Sequence, residues 1–318
     1  MASWAKGSCL PLLPAGKAPP PFRDDPLPRD ALIAAAVASP HYTRPARADF
    51  YTRDMPELPD VQMFKHYLDT TSLHQAISGV RVTRDRILED VSPRRLGSAL
   101  KHHAFCESRR HGKYLAVALD DGRQLVLHFG MTGYLRYVER DEPDSAHARL
   151  IVTFDNGHRL DYDNQRMLGR VRLVDDFDRL IEQLDLGPDA MDVTRACFED
   201  RLRGHRGAIK STLMDQSILA GLGNIYTDEV LFQARIHPLT PTDVLSERER
   251  HALYRMMRKV LRKAIDVDTE AARLPRSYLV PHRHSGARCP RRNGTIRQIR
   301  VGGRSTYFCP TCQVKHGR

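Results

Sequence analysis

The chain has 318 residues and a net charge of +11, and its 41% hydrophobic and 28% charged residues are ordinary proportions for a soluble globular protein. Its length favours two compact domains. No apolar run reaches the roughly 20 residues of a membrane span or has the flanks of a signal peptide, which excludes membrane proteins and secreted precursors. Only Cys309 and Cys312 of the six cysteines are closely spaced, so the sequence indicates a reducing, cytoplasmic compartment and no disulfide framework.

Residues 1–54 form a proline-rich beginning that contains nine of the twenty prolines. Such a segment cannot sustain a helix or a central strand and has little to bury. We therefore predict either a disordered extension or a start assigned too far upstream, with Met55 opening the folded protein.

Residues 55–180 are predicted to form a β-sandwich domain with flanking helices. Apolar residues recur at helical spacing over Asp60–Leu68, after which the hydrophobic period changes to two. Turn signals such as Asp155-Asn156-Gly157 separate the resulting short strands, a pattern typical of sandwiches and barrels. The predicted strands are Val80–Ile87, Tyr114–Leu119, Gln124–Phe129, Tyr134–Val138, Arg149–Phe154, Arg159–Tyr162 and Arg170–Val174.

Residues 181–284 are predicted to be helical. Short helices are expected at Phe198–Leu202, Ile209–Met214 and Asn224–Ala234. A capping box at Ser246 opens a long helix, whose buried stripe is predicted to be Leu253, Met257, Val260, Leu261 and Ala264.

Residues 285–318 are predicted to be a small β-hairpin module. The whole chain is thus predicted to be an α+β, multidomain protein. Its excess positive charge lies in this C-terminal region. The last 48 residues contain 11 Lys or Arg and no Asp or Glu, so the rest of the chain is neutral overall. A basic surface attracts polyanions, although a solvated basic tail would have the same charge. The Gly-Gly, Cys-x-x-Cys and strand-like features within this stretch favour a folded module.

Met55-Pro56-Glu57-Leu58-Pro59-Asp60-Val61 carries the first chemical signal. It resembles the opening of the formamidopyrimidine-DNA glycosylase/endonuclease VIII (Fpg/Nei) family, in which the initiator methionine is removed. The resemblance implies that the free amine of Pro56 is a nucleophile and that Glu57 is the acid/base group. An α-amine with a pKa near 8 is partly neutral at pH 7 and can form a covalent imine-type intermediate. Asp60 departs from the family's usual Glu.

Three further motifs in the same order extend the resemblance. His111-Gly112-Lys113-Tyr114-Leu115 resembles a family hairpin whose Lys contacts phosphate, which implies this role for Lys113. His128-Phe129-Gly130-Met131-Thr132-Gly133 and Gln165-Arg166-Met167-Leu168-Gly169 resemble two loops that enter the DNA. Met131 and Leu168 would fill the space of a flipped base, and Arg166 would face the orphaned partner base. Taken singly, such a Met is more often a core residue.

The longest match runs from Lys210-Ser211-Thr212-Leu213-Met214-Asp215-Gln216 to Gly221-Leu222-Gly223-Asn224-Ile225-Tyr226. It is similar to the family's helix–two-turn–helix element. The glycines permit a tight turn, and the positive end of the following helix can hold a phosphate. The resemblance implies that Lys210 and Asn224 contact phosphate through their side chains.

The terminal module departs from the family's finger of two Cys-x-x-Cys pairs around a Gly-Arg hairpin. Arg304 of the hairpin, an expected phosphate contact, and the pair Cys309–Cys312 are present, but the first pair reads Cys289-Pro290-Arg291-Arg292. Structural zinc takes four ligands, and the guanidinium of Arg292 is not one.

Three alternatives remain for this module: a packed hairpin without zinc, weak binding by three thiolates and water, or a fourth ligand from His282, His284 or His316. We expect an impaired or absent site, and no cofactor is required for the chemistry.

The sequence therefore predicts a monomeric repair glycosylase with AP lyase activity that acts on duplex DNA containing a damaged base in the nucleoid, away from membranes. One alternative is a non-catalytic DNA-structure binder on the same scaffold. A second is an RNA- or ribosome-associated basic protein, which would leave Pro56, Glu57 and the loop residues unexplained. The choice of damaged base and the extent of elimination stay open.

Overall fold

A computed structural model describes residues 55–291 and 294–314 of the chain. The predicted disordered extension or misassigned start at residues 1–54, the substituted ligand position Arg292 and the candidate ligand His316 lie outside the described residues.

Two four-stranded antiparallel sheets form the first half of the described chain. Their strands are β1 (Ile77–Val82), β2 (Phe105–His111), β3 (Tyr114–Leu119), β4 (Gln124–His128), β5 (Gly133–Glu139), β6 (Ala148–Phe154), β7 (His158–Asn164) and β8 (Arg170–Val174). One sheet has the order β1-β6-β7-β5 and the other the order β2-β3-β4-β8. Phe154 and Tyr162 of the first sheet share one core with Phe105 and Leu127 of the second. The predicted β-sandwich is confirmed.

Three helices flank the sandwich: α1 (Leu58–Thr71), α2 (Pro93–Leu100) and α3 (Phe177–Gln183). Phe64 of α1 enters the sandwich core, whereas Leu58 at the start of the same helix is buried in the core of the helical domain. Because burying such side chains stabilises by about 1.5–3 kcal/mol each, α1 ties the two halves together immediately beside Glu57.

The helical domain contains α4 (Arg195–Leu202), α5 (Ile209–Met214), α6 (Asn224–Ala234) and α7 (Glu247–Asp266). The capping box of α7 is present: Glu249 N–H donates to Ser246 Oγ at 3.3 Å, and Ser246 N–H donates to Glu249 Oε2 at 2.8 Å. The predicted stripe of α7 is buried as expected. This confirms the helical assignment from sequence.

A two-stranded hairpin of β9 (Arg297–Val301) and β10 (Arg304–Phe308) ends the described chain. Gly302 and Gly303 form its turn with φ values of 55° and 75°, a conformation that favours glycine. Ile296 and Cys309 pack against Phe232 of α6, so the hairpin module has its own small core attached to the helical domain.

The structure differs from the sequence expectation in several elements. The strand predicted at Val80–Ile87 lies instead at Ile77–Val82, and Asp85–Ile87 form a 3-10 turn that buries Ile87. The edge strand β2, α2 and α3 were not predicted, because their short and polar sequences lack a clear period. No helix within the described ranges is long and apolar enough to cross a membrane.

Candidate functional site

Glu57 is held at the beginning of α6. Its side chain is only 1% exposed. Its carboxylate accepts hydrogen bonds from the backbone N–H groups of Gly223 at 2.8 Å, Ile225 at 2.6 Å and Tyr226 at 3.2 Å. The first N–H groups of a helix have no intrahelical acceptor and carry the positive end of the helix dipole. Glu57 therefore occupies an anion site made by the turn before α6.

Burial raises the pKa of Glu57 to about 7, although Lys113 and the three backbone donors favour the charged form. Asp60 lies beside it, and its Oδ2 accepts a hydrogen bond from the Glu57 N–H at 2.8 Å. Burial also raises the pKa of Asp60, to about 6. Near neutral pH, Glu57 is thus divided between its acid and base forms, the condition that general acid–base catalysis needs.

The two-turn segment is shaped around this carboxylate. A Cβ atom on Gly223 would stand 2.5 Å from Cδ of Glu57. Gly221 has a φ of +115°, and a Cβ there would stand 2.5 Å from Leu58 Cδ1. The Leu58 N–H also donates to the Gly221 carbonyl at 3.0 Å. The glycines therefore let the α1 start and the α6 start approach each other closely.

Lys113 points at the same place from the turn between β2 and β3. Its side chain is only 8% exposed. Burial lowers the pKa of Lys113, Glu57 and Asp60 raise it, and the nearby Arg304 guanidinium lowers it further. Pro56 is buried next to Glu57. Pro56 and Glu57 immediately before α1, and Lys113 between β2 and β3, therefore form one group of side chains.

An ion pair fixes the hairpin that carries Lys113. The guanidinium of Arg110 binds the Asp189 carboxylate, with one contact at 3.1 Å, and both side chains are almost fully enclosed. Asp189 also accepts the Gly112 N–H at 2.7 Å. A Cβ on Gly112 would stand 2.8 Å from the Ala220 Cβ, so the hairpin tip contacts the two-turn segment directly.

Lys210, which was predicted to contact phosphate, is enclosed by the protein, and its side chain has no exposed surface. Its ammonium donates to Asn224 Oδ1 at 2.7 Å, to Asp228 Oδ1 at 2.7 Å and to the Ser305 carbonyl at 3.4 Å. Asn224 itself is half-buried, and its carboxamide oxygen faces Lys210. This contact directs the Asn224 amino group away from Lys210.

Asp228 connects the same network to the hairpin module. Its Oδ2 accepts hydrogen bonds from Arg283 Nε at 3.1 Å and from the Tyr307 N–H of β10 at 3.1 Å. Arg304, three residues earlier on β10, is exposed. Asp228 thus holds the strand from which Arg304 projects.

Met131, Arg166 and Leu168 are brought together on two loops in contact. The Arg166 N–H donates to Thr132 Oγ1 at 3.0 Å, and any Cβ on Gly130 would collide with the backbone at Leu168. Leu168 is 40% exposed, one of four large hydrophobic side chains exposed within the described ranges. Asn164 anchors the loops by donating to the Phe129 carbonyl at 3.0 Å.

Cys289, Cys309 and Cys312 converge in the hairpin module, with all three sulfur atoms within 4.8 Å of one another. The Cys289–Cys312 separation is 3.6 Å, close to the roughly 3.8 Å edge of a tetrahedron with 2.3 Å zinc–sulfur bonds. The three thiols therefore fit one zinc ion. His282 and His284 do not belong to this group of ligand atoms within the described ranges.

Arg110, Asp189 and Asp228 were missed by the sequence analysis. Their partners lie far away along the chain; the Arg110–Asp189 pair spans 79 residues. Neither periodicity nor local spacing reports such a pair, so no signal in a single sequence could have found them.

Comparison with family models matches almost the entire described chain. The Formamidopyrimidine-DNA glycosylase N-terminal domain matches residues 55–171, the Formamidopyrimidine-DNA glycosylase H2TH domain matches residues 184–275, and the zinc finger found in FPG and IleRS matches residues 287–314.

Curated relatives and solved structures agree with these matches. The formamidopyrimidine-DNA glycosylases of Chloroflexus aurantiacus and Pelotomaculum thermopropionicum are each 34% identical, over 82% and 81% of this chain and 98% and 99% of their own length. The Lactococcus lactis enzyme bound non-covalently to DNA with an AP site is 31% identical, with a TM-score of 0.75 over 81% of this chain and 100% of that one. MutM with carbocyclic 8-oxo-G DNA is 30% identical, with a TM-score of 0.75 over 82% and 100%.

Proposed function

The chain belongs to the formamidopyrimidine-DNA glycosylase family, and from this premise we propose that it is a base-excision-repair glycosylase that also nicks the DNA strand as an AP lyase. The observation that carries the proposal is the buried Glu57 carboxyl at the start of α6. It lies next to Pro56, its pKa is raised to about 7, and it faces the Lys113 ammonium.

The proposed nucleophile is the amine of Pro56, which requires a chain that begins at Pro56 after removal of Met55. In a longer chain the same nitrogen is a tertiary amide and has no nucleophilic lone pair. The family match begins at residue 55, and the relatives are matched over 98–100% of their length. Residues 1–54 therefore have no counterpart in them, which supports Met55 as the start of the active form.

The proposed first step breaks the bond between C1′ of the sugar and the damaged base. The neutral Pro56 nitrogen forms a bond to C1′, the base leaves with the bonding electrons, and the base takes up the one proton that the now positively charged Pro56 nitrogen gives up. Protonated Glu57 then donates its proton to O4′ as the C1′–O4′ bond breaks, and the lone pair of the Pro56 nitrogen forms the double bond of an iminium ion. The iminium withdraws electrons, so that loss of a C2′ proton expels the 3′ phosphate and nicks the strand.

Phosphate contacts are proposed for Lys113, Asn224 and Arg304. Lys113 and Arg304 bring positive charge to the mouth of the site, and the Asn224 amino group is free to donate while Lys210 holds the amide oxygen. Lys210 remains in the predicted DNA-binding set. Its burial supports a positioning role. In this role Lys210 orients Asn224 and compensates the charge of Asp228, whose carboxylate accepts a hydrogen bond from the Tyr307 N–H of β10.

Met131, Arg166 and Leu168 are proposed to enter the duplex where the damaged base leaves the stack. Unstacking costs a few kcal/mol, and an apolar side chain inserted into the gap offsets part of that cost. The exposed Leu168 on a loop braced by Thr132 and Asn164 supports this role.

A zinc ion bound by Cys289, Cys309 and Cys312 would hold the ends of the hairpin module together without taking part in the chemistry. We propose that this site is impaired, because Arg292 occupies the fourth ligand position in the sequence. Packing of Ile296, Phe232 and Leu279 supports a hairpin that keeps its place with weakly bound metal or none.

A second candidate function is non-catalytic binding of damaged DNA. The printed sequence places 55 residues before Pro56, which would block the amine while leaving the DNA-facing residues in place. Binding without excision by every form of the chain would favour this candidate.

The experiment that tests the proposed function uses duplexes that each carry one lesion: 8-oxoguanine, a formamidopyrimidine, an oxidised pyrimidine or an abasic site. We expect protein that begins at Pro56 to release at least one of these bases and to nick the abasic duplex without magnesium. Glu57→Gln should bind the same duplexes but release base at least about 100-fold more slowly. Failure to release any base and to nick the abasic duplex would contradict the proposal.

A further inference from the structure

The outer face of α7 carries a row of cations that neither the fold nor the proposed chemistry uses. Arg255, Arg258, Lys259, Arg262 and Lys263 recur at helical spacing, opposite the buried stripe of the same helix. Arg255, Lys259 and Arg262 are exposed. We name these five residues the α7 cation row.

The α7 cation row is unpaired. Within the described ranges, none of its five side chains forms a salt bridge. Two arginines of the neighbouring α4 region are paired, Arg195 with Glu199 and Arg203 with Asp200. Like charges three and four residues apart on a helix repel each other and destabilise it. The row therefore lowers the stability of the isolated protein, which is the behaviour of a surface that gains its counter-charges from a ligand.

The row borders a groove and not a convex surface. A cavity of about 690 Å³ lies between α7 and the segment containing Pro275, Ser277 and Tyr278. Tyr254 lies in its lining, where its hydroxyl donates to the Val193 carbonyl at 3.1 Å and its ring packs against Phe198. The groove thus has a fixed, largely apolar floor and a cationic rim, and Asp266 is its one acidic lining residue.

This groove is separate from the candidate active site, because Pro56, Glu57, Lys113, Asn224 and Arg304 do not line it. A ligand in the groove must offer both negative charge and an apolar group. The phosphates of a DNA duplex offer charge alone. A short acidic peptide with an apolar side chain satisfies both requirements.

The dimensions also suit a peptide. The row runs over eight residue steps from Arg255 to Lys263, about 12 Å at 1.5 Å per residue, which four residues of extended peptide span at about 3.3 Å each. We propose that the α7 groove is a docking site for an acidic, apolar-tipped peptide segment of a partner protein, distinct from the DNA-binding face.

The test uses the full chain and a fluorescein-labelled hexapeptide of four aspartates followed by leucine and phenylalanine. Fluorescence anisotropy should report saturable binding. Replacing the four aspartates by asparagines, or the two apolar residues by glycines, should weaken binding by about tenfold in each case, since the site reads both features. If the peptide with two glycines bound as tightly as the peptide with leucine and phenylalanine, binding would depend on charge alone and the proposal would be overturned.

The matched variants are Arg258→Glu/Arg262→Glu in the groove and Arg94→Glu/Arg95→Glu on the exposed start of α2, which change the net charge equally. The groove variant should lose peptide affinity by about tenfold while the α2 variant changes by less than about twofold. Lesion-duplex affinity should be the same in the two variants. An equal loss of peptide binding in both variants would overturn the proposal. A loss of DNA affinity confined to the groove variant would also overturn it, because the groove would then be a DNA contact.

Discussion

Glu57 combines two opposing influences at a single residue. Three backbone N–H donors and Lys113 favour its carboxylate, but burial favours the neutral acid more strongly and raises its pKa to about 7. A group in this balance can lose and regain a proton within one reaction cycle. The close fit of Gly223 against the side chain keeps it in this environment.

The first prediction concerns pH. The proposed reaction needs protonated Glu57, which is lost as the pH rises above about 7, and a neutral Pro56 amine, which is lost as the pH falls below about 8. Single-turnover base release by protein beginning at Pro56 should therefore peak near pH 7.5, between these two values. Glu57→Gln should remove the decline on the alkaline side. A rate that rises steadily to pH 9 in the unsubstituted protein would contradict this assignment of Glu57.

The second prediction concerns Gly223→Ala. The added Cβ would stand 2.5 Å from Cδ of Glu57 and must displace the carboxyl. A displacement of about 1 Å can cost about 100-fold in rate, so base release should fall by 10- to 100-fold while DNA binding changes little. Gly97→Ala on α2 is the control, because no atom lies within 4 Å of its new Cβ. It should stabilise the protein by about 0.5–1 kcal/mol and leave base release unchanged. Unaltered release by Gly223→Ala would count against the site.

The residues of the candidate site were predictable to different degrees. The motifs alone predicted Pro56, Glu57 and Lys113 as one functional group, and the structure brings these residues together. The burial of Lys210 was not predictable, because its partners Asp228 and Ser305 lie on α6 and β10. From sequence alone, a lysine in the first turn of a short helix is expected to be exposed until the neighbouring elements are placed.

Among the elements, α5, α6 and β10 carry the side chains that we propose to act in DNA binding. Lys210 of α5 contacts Asn224 and Asp228 of α6, and Asp228 contacts Tyr307 of β10. Only the exposed Arg304 among these groups can neutralise a phosphate through its own charge. The salt dependence of binding can therefore separate direct contact from positioning.

The third prediction follows from this difference. Arg304→Ala should reduce the log–log salt slope of lesion-duplex binding by about 0.9, because one cation–phosphate contact is lost. Asn224→Ala and Lys210→Met should each weaken binding without changing the slope. Melting curves must first confirm folding, since Lys210→Met leaves Asp228 with less compensation and can cost about 3–5 kcal/mol. A slope reduced as much by Lys210→Met as by Arg304→Ala would return Lys210 to the phosphate contacts.

The fourth prediction concerns the hairpin module. A structural zinc site can contribute on the order of 10 kcal/mol to folding, and Arg292 removes one of the four expected thiolates. Purified protein should therefore carry well under one zinc per chain by elemental analysis, and a chelator should leave DNA binding intact. Arg292→Cys should restore one zinc per chain and raise the melting temperature, whereas Arg292→Ser should do neither. One tightly held zinc per unsubstituted chain would refute the impaired site.

The elements themselves were predicted unevenly. β3, β8, α5 and α6 have the predicted bounds because their hydrophobic period is clear and glycine or polar residues mark their ends. The prediction placed the end of β1 too late, because Thr83 and Arg84 continue the strand-like pattern in the sequence although the strand ends at Val82 and the chain enters the 3-10 turn at Asp85. The edge strand β2 is largely polar and depends on pairing with β3, a long-range contribution that local propensity does not report.

At the scale of the whole molecule, charge and chemistry are divided between the two ends of the described chain. The start supplies Pro56 and Glu57, and the neutral remainder of the chain positions them. The C-terminal 48 residues supply the excess positive charge. Arg304 brings this basic region close enough to Lys113 to lower the pKa of its ammonium, so the basic region borders the proposed reacting groups.

We propose that the amine of Pro56 attacks the sugar, and covalent trapping with borohydride detects the resulting intermediate. Two proteins should be compared on the same abasic and lesion duplexes: one that begins at Pro56 after loss of Met55, and one that retains all 318 residues, with intact masses measured for both. Borohydride reduces an iminium ion to a stable protein–DNA bond. We expect trapping of the form with a free Pro56 amine and none of the longer form, in which that nitrogen is an amide. Equal trapping of both forms, or trapping of neither, would contradict this proposal.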